Sequence, residues 1–487
     1  MERLDAVVVG SGPNGLAAAI VLAEAGLTVR VYEAAGSLGG GCRTQELTVP
    51  GFRHDVCSAA LPLAIASAFF KHFDLERRGV RMLQPEVPFA HPLDGGRAAA
   101  AFRSVEATAS ALGADGTAYS RLLAPLVASS DAVVGAALSS YREVPPHPLI
   151  AARFALLGLL PALSLTRRFG TVEARALMGG VAAHAMEPLD RPLTGGIGLL
   201  LGTLAHAVGW PVVEGGSGSI VEAMVRALRT SGVEIVTDHA VTSLAELPPA
   251  RAVLLDVTPR ALAALAGDRL PSQYLRSLRR FRYGAGVCKV YWALDGPVPW
   301  EAEVCRRAGT LHLGGPIEQV AHAESEVAAG RHPDRPFVLV VQPGVVDPTR
   351  APAGKHTLWT YCHVPSHSDR DMTTAIASQI ERFAPGFRDL VAGSAVRSAA
   401  QMEVENPNYV GGDIGSGVQN LRQTVFRPVV RWDTHRTPIR GVYLCSASTP
   451  PGPGVHGRCG ELAAQRALRD LFGTGARDTV TPTVASG

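Results

Sequence analysis

Apolar residues follow two rhythms along this chain, short β-branched runs and stretches spaced by three and four, and near the amino terminus the two alternate. Residues 6–9 predict a strand, while Leu16, Ala19, Ile20, Ala23 and Leu27 recur at helical spacing until Gly26 stops the helix. Residues 28–32 predict a second strand, closed by Glu33. From 75 to 210 the pattern is mostly helical, broken by Pro145, Pro146, Pro148 and Pro161, and 194–210 reads as one helix rich in small residues. Ile220, Met224 and Leu228 share one face of an amphipathic helix, followed by short buried strands at 233–236 and 252–256. Between 270 and 395 alternating runs such as 286–294 and 335–344 predict an antiparallel sheet that floors a cavity. A last strand, 442–445, precedes a helix through Glu461 to Leu468. The order is that of an α/β protein.

Glycine placement gives the first elements a chemistry. Gly10, Gly12 and Gly15 stand at the spacing G-x-G-x-x-G between strand and helix, with Pro13 and Asn14 inside the turn. In such a unit the first glycine makes the turn, the second admits a pyrophosphate and the third lets helix and strand close together. The helix N-terminus then offers free N–H groups and its positive dipole end to the phosphates. Glu33 falls about 20 residues on, where a carboxylate accepts hydrogen bonds from an adenosine ribose. A second glycine-rich loop brings Gly39, Gly40 and Gly41, then Arg43, placed to neutralise a phosphate, and Thr44. The glycines of 194–202 are a decoy, because no β-branched strand enters them.

The end of the chain repeats the spacing at Gly452, Gly454 and Gly457. A separate nucleotide domain needs a following strand with an acid or arginine, and the polar tail arrives first. The economical reading is one cofactor shared by both ends: the opening cradle holds adenosine diphosphate, and Gly454, Val455, His456 and Gly457 lie at a flavin whose reduced form the helix N-terminus stabilises. His456 is a candidate to influence the flavin through its charge, or simply to pack. The opening cradle alone suits NAD or FAD, and the terminal segment turns the reading to FAD.

Composition narrows the rest. A chain of 487 residues, 47% hydrophobic and 18% charged, is long enough for two or more domains. A net charge of +3 without basic–aromatic runs leaves no nucleic-acid footprint. Seven scattered cysteines without a C-x-x-C pair argue against a disulfide framework or zinc site, and a first strand so near Met1 argues against a cleavable signal, so a cytoplasmic location is expected. Residues 149–165 are the most apolar run, but Arg153 and Pro161 interrupt it and a span needs about 20 apolar residues. A buried core helix is the first reading and peripheral docking at the inner membrane face the second. His363 and His367 have metal-site spacing, but Pro365 lies between them and no third ligand is near, so no metal is expected. Lys289, in an apolar strand, is either an edge lysine or a group facing the active site.

Residues 5–44, the following GFRHD, and the late segments NPNYVGGDIGSGVQNL and GVYLCSASTPPGPGVHGRCGELAA resemble the phytoene desaturase-related flavoproteins, which share their FAD fold with the flavin amine oxidases. The resemblance covers most of the chain, although Pro453 stands where the family more often has glycine. It implies a Rossmann-type FAD-binding domain assembled from 1–74, 211–269 and 396–475, an α+β substrate domain from 75–210 and 270–395 with an antiparallel sheet and a helical part, and a disordered tail at 476–487. It also implies a main-chain contact to the adenine at Val241. The function expected is hydride removal from a C–H bond of an apolar, isoprenoid-like substrate to flavin N5, forming a double bond. The alternatives are amine oxidation using Lys289 or aromatics such as Tyr291 and Trp292, redox-neutral isomerisation, and a non-catalytic flavin-binding partner protein.

Overall fold

The computed structural model describes residues 4–139 and 147–473. The expected tail at 476–487, and Pro145 and Pro146, lie outside the described residues.

Five parallel strands form the first sheet, in the order Val442–Leu444, Ala250–Leu255, Leu4–Val9, Val29–Tyr32, Glu234–Val236. The central strand Leu4–Val9 is apolar from Ala6 to Val9 because helices cover the sheet, as parallel strands require, while the edge strand Glu234–Val236 has no buried residue. The opening helix, Pro13–Glu24, buries Leu16, Ala17, Ala18, Ala19, Ile20 and Leu22 and starts on a proline at its first turn. The late helix Arg458–Ala467 packs on it so closely that a Cβ on Gly460 would lie 1.8 Å from the Asn14 carbonyl oxygen. Sequence segments from both ends therefore meet at the carboxyl edge of this sheet, where ligands of open α/β folds bind.

The second sheet has seven strands, in the order Val391–Arg397, Gly286–Leu294, His356–Val364, Val338–Val341, Ala308–Leu313, Val87–Leu93, Arg97–Ala101. All its pairings are antiparallel except that of Ala308–Leu313 with Val87–Leu93. Two of these strands correct the reading of 75–210 as mostly helical. Val87–Leu93 is buried at every position, so it shows no alternation, and Pro88 and Pro92 look like breakers. Arg97–Ala101 is RAAAA, whose alanines favour helix intrinsically until sheet pairing overrides them. Thr194–Ala207 is one helix, as its composition suggested.

The apolar run at 149–165 divides at Pro161 into Pro148–Gly158 and Ala162–Thr166. The buried-core reading holds only for the second piece. In the first, only Ala151 and Gly158 are buried, and Leu149 and Leu156 are 85% and 68% exposed. Among the described residues no helix is long and apolar enough to cross a membrane.

Candidate cofactor cleft and substrate cavity

The turn after the first strand is built on backbone that only glycine adopts freely: Gly10 has φ +99°, and a Cβ on Gly15 would stand 2.1 Å from the Gly10 carbonyl oxygen. Gly12 caps the opening helix without a side-chain partner; of the first-turn residues, Pro13 carries no N–H and Gly15 donates its own to Asp256 at 2.9 Å. Glu33 is fixed by Ser11, whose N–H and Oγ donate to its carboxylate at 2.8 and 2.6 Å, and by the Ala35 N–H at 2.9 Å. Three of about four acceptor sites are thus used, leaving one toward the cavity.

That cavity, about 1350 Å³, runs from the cradle to the second sheet. It exceeds the roughly 300–1,000 Å³ of a site for one drug-sized ligand, which leaves room for a long cofactor and a substrate. Its wall includes Gly10, Gly12, Pro13, Asn14, Glu33, Gly40, Gly41, Arg43, Val241, Gly454 and Val455. Gly15, Thr44, His456, Gly457 and Lys289 stand behind it. Thr44 donates to Asp55 at 2.8 Å and accepts the Gly218 N–H at 3.0 Å, tying two loops rather than facing a ligand. Arg43 lines the cavity, with Nη1 donating to the Ser37 hydroxyl at 2.8 Å. Gly457, at φ +68°, lets the late helix begin against Phe69.

His456 is a structural histidine, and the charge-based role is corrected. Burial holds its ring down to about 4, so it is neutral. Its Nδ1 accepts the Arg458 N–H at 3.0 Å, which leaves Nε2 to donate to the Gly452 carbonyl at 3.1 Å. Both nitrogens are spent closing the glycine loop. Lys289 is likewise neither an edge lysine nor a group in the cavity. Its strand lies between two others, it is wholly buried, and its ammonium donates to the Cys57 carbonyl at 3.0 Å while lying 4.2 Å from the Trp359 ring centroid. It binds segment 57–60 of the cavity wall to the sheet that floors the cavity. Tyr291 does the same through Val56, at 2.6 Å, and Trp292 points its Nε1 at Thr360 instead.

The sheet supplies the floor. Trp359 is opposite Val341, and Val341 opposite Thr310, so three cavity residues form one row; Tyr361 and Leu339 continue it in the next. His184 stands on the wall, its Nε2 2.9 Å from that of His312, and burial pushes its ring down to about 3. Next to it Met186 takes a left-handed φ of +55° and Glu187 reaches the cavity, its carboxyl raised by burial. Non-glycine strain of this kind gathers at functional sites. His363 and His367 do not come together: the first is paired with buried Glu324 at 2.8 Å and the second is an exposed neighbour of Glu403.

A family model described as an NAD(P)-binding Rossmann-like domain matches residues 8–73. Over nearly its whole length the chain is 26% identical to pyridine nucleotide-disulfide oxidoreductase domain-containing protein 2 of Rattus norvegicus, covering 96% of this chain and 94% of that one. A phytoene desaturase of Cercospora nicotianae is 28% identical over 78% of this chain and 64% of its own. The chain is an FAD-type oxidoreductase. Its architecture is shared with a solved putrescine oxidase triple mutant, at 17% identity and a TM-score of 0.63 over 97% of this oxidoreductase and 99% of that chain. The resemblance to the phytoene desaturase-related flavoproteins read from the sequence is upheld, as are the Rossmann fold and FAD as cofactor. The cradle fits that cofactor: Gly10, Gly12 and Gly15 keep side chains out of the turn, and the helix that follows it begins without a side-chain cap.

Sequence reasoning missed several wall residues. Asp256 follows its strand directly and touches the glycine turn, a position marked only by its place at the strand's carboxyl end. Asp413 accepts N–H groups of Gly284, Gly415 and Gly417 at 2.7 to 2.8 Å and so shapes a loop of the wall. His184 and Glu187 carried no local signal, being presented by a strained turn between helices.

Proposed function

We propose that this oxidoreductase dehydrogenates a C–H bond of an apolar, isoprenoid-like substrate, introducing a double bond with FAD as electron acceptor. The single observation that carries the reading is the continuous cavity between dinucleotide cradle and sheet, floored by Trp359, Tyr361, Leu339 and Val341 and roofed by Leu200, Ile197 and Phe154. Bound flavin supplies a two-electron acceptor. The chain's part is to hold and shield: of the residues lining the cavity, Gly12, Asn14 and Arg43 would hold the diphosphate, Val241 the adenine, and Gly454 and Val455 the ring end. The apolar floor, where the Trp359 and Tyr361 rings meet edge to face beside Leu339 and Val341, holds a long chain and keeps water out, which is what positioning of a reacting carbon requires. His184 stays neutral on the wall, backed by buried His312, so it gives an apolar substrate polar contact without charge.

Substrate entry across a lipid surface belongs to the same proposal. Helix Pro148–Gly158 lines the cavity with Phe154 and Ala155 while presenting Leu149 and Leu156 outward, the arrangement of a peripheral helix at a cytoplasmic membrane face. Anaerobic stopped-flow mixing of the flavin-loaded protein with isoprenoid donors tests the reading. Bleaching of the oxidised flavin band is expected, and no bleaching with any lipophilic donor would overturn it.

Glu187 favours a second reading, amine oxidation, because a carboxyl on the cavity wall suits a cationic group. Release of peroxide from amines under air, abolished in Glu187→Gln, would select it over desaturation.

A further inference from the structure

The cradle that receives the diphosphate already contains an acid. Asp256 Oδ2 accepts the Gly15 N–H at 2.9 Å, the third residue of the opening helix, and lies 2.7 Å from where a Cβ on Gly12 would stand. The main chain of Asp256 is fixed as well, its N–H donating to the Val9 carbonyl at 2.8 Å and its carbonyl accepting from Asn408 Nδ2 at 2.9 Å. The main chain is thus fixed by its strand and by Asn408, and the side chain is held at the turn by the Gly15 N–H. It is 7% exposed, and that exposure is to the cavity.

We propose that Asp256 is a diphosphate-contact residue that works as a carboxylic acid, so that cofactor uptake carries one proton into the cradle. The inference rests on the reading of the cleft as an FAD site. A diphosphate and an ionised carboxylate would compete for the same helix N-terminus, and two anions in a poorly solvated site cannot both keep their charge. Protonation removes the conflict and turns the carboxyl from a rival anion into a hydrogen-bond donor.

The surroundings leave this proton nowhere else to go. From the opening turn and helix Asp256 faces the backbone of Gly10, Gly12 and Gly15; from the second strand, Glu33, which is a second anion; from the loop before the late segment, Asn408; from the last strand and the late helix, Cys445 and Cys459, whose thiols burial keeps protonated. No ion pair to Asp256 occurs among the described residues. Burial first, and Glu33 with it, raise its carboxyl to about 7, against the pull of the Gly15 N–H. The sign follows: binding is favoured while the acid is protonated and weakens as pH rises through that range.

The full chain, freed of flavin, is titrated with FAD and with ADP-ribose from pH 6 to 9, by tryptophan quenching and by calorimetry in buffers of differing ionisation heat. Affinity for both should fall by up to roughly tenfold per pH unit above pH 7, with about one proton taken up per ligand. Adenosine, which lacks the diphosphate, should bind without this slope. Asp256→Asn, which keeps an acceptor for Gly15 and a donor for phosphate, should bind FAD with a flat profile and retain binding at pH 9. A flat profile for the unaltered protein, buffer-independent heats, or an unchanged slope in Asp256→Asn would overturn the inference while leaving the FAD site intact. Failure of FAD and ADP-ribose to bind at any pH would overturn the cofactor reading and the inference together.

Discussion

Arg350 sits between two buried carboxylates, 2.8 Å from Asp55 and 2.8 Å from Asp347, with all three side chains 1% exposed or less. Asp55 also accepts from Thr44 and from the Ser217 N–H, and Asp347 from the Gly215 N–H at 2.8 Å. One guanidinium thus ties the loop after the cradle to the approach of the helix Gly218–Thr230. Removing one partner of such a cluster strands buried charge. Arg350→Ala is expected to cost about 3–5 kcal/mol of stability, read from denaturant midpoints, with Arg350→Lys recovering only part because it loses the forked geometry. A loss under about 1 kcal/mol would show that the cluster is not what holds these loops.

Gly41 presses on Tyr409, where an added Cβ would lie 1.8 Å from the phenol oxygen. Gly41→Ala is therefore expected to displace the loop that carries Arg43 and to lower bound flavin per chain, and adding Tyr409→Ala should restore part of it. Absorbance of the purified proteins at the flavin band checks this. An unchanged flavin content in Gly41→Ala would count against a cofactor wall at this loop.

Acid sensitivity follows from buried imidazoles. Burial pushes His54, His91, His435 and His456 down to about 4 and His184 to about 3, against 6.5 when exposed. Between those values the unfolded chain binds protons that the folded chain refuses, so stability is full above pH 6.5 and is lost as pH falls toward 4. Thermal melts across that window should show a steady decline, and substituting His456 by Asn should lessen the slope.

Leu149 and Leu156 give the lipid-entry proposal a direct readout. Replacing both with Glu removes apolar contact worth about 1.5–3 kcal/mol per side chain, so association with anionic vesicles should weaken at least roughly tenfold while flavin content stays constant. Equal vesicle binding by both proteins would locate any membrane contact elsewhere.

The nucleotide half was legible because its signals are local. Gly10, Gly12, Gly15 and Glu33 stand within one supersecondary unit, and both the spacing and the strand boundaries follow from backbone needs. The terminal strand and helix were legible for the same reason. The cavity was not, since Trp359, Val341 and Thr310 form one row only through strand pairing across the sheet. Val87–Leu93 and Arg97–Ala101 escaped notice because burial on both faces erases alternation, and because alanine speaks for helix until a neighbouring strand binds it. His456 and Lys289 looked reactive by residue type; their hydrogen bonds, to Gly452 and Cys57, reveal them as braces.

The contact between Gly460 and Asn14 has a consequence for how the protein is made. The first strand and helix leave the ribosome early, yet their covering helix and the flanking strand Val442–Leu444 arrive last. Until then the nascent domain exposes an apolar helix face and an open sheet edge, the kind of surface chaperones capture. A cofactor held from both ends is thus expected to be taken up late, when the two ends of the chain have met.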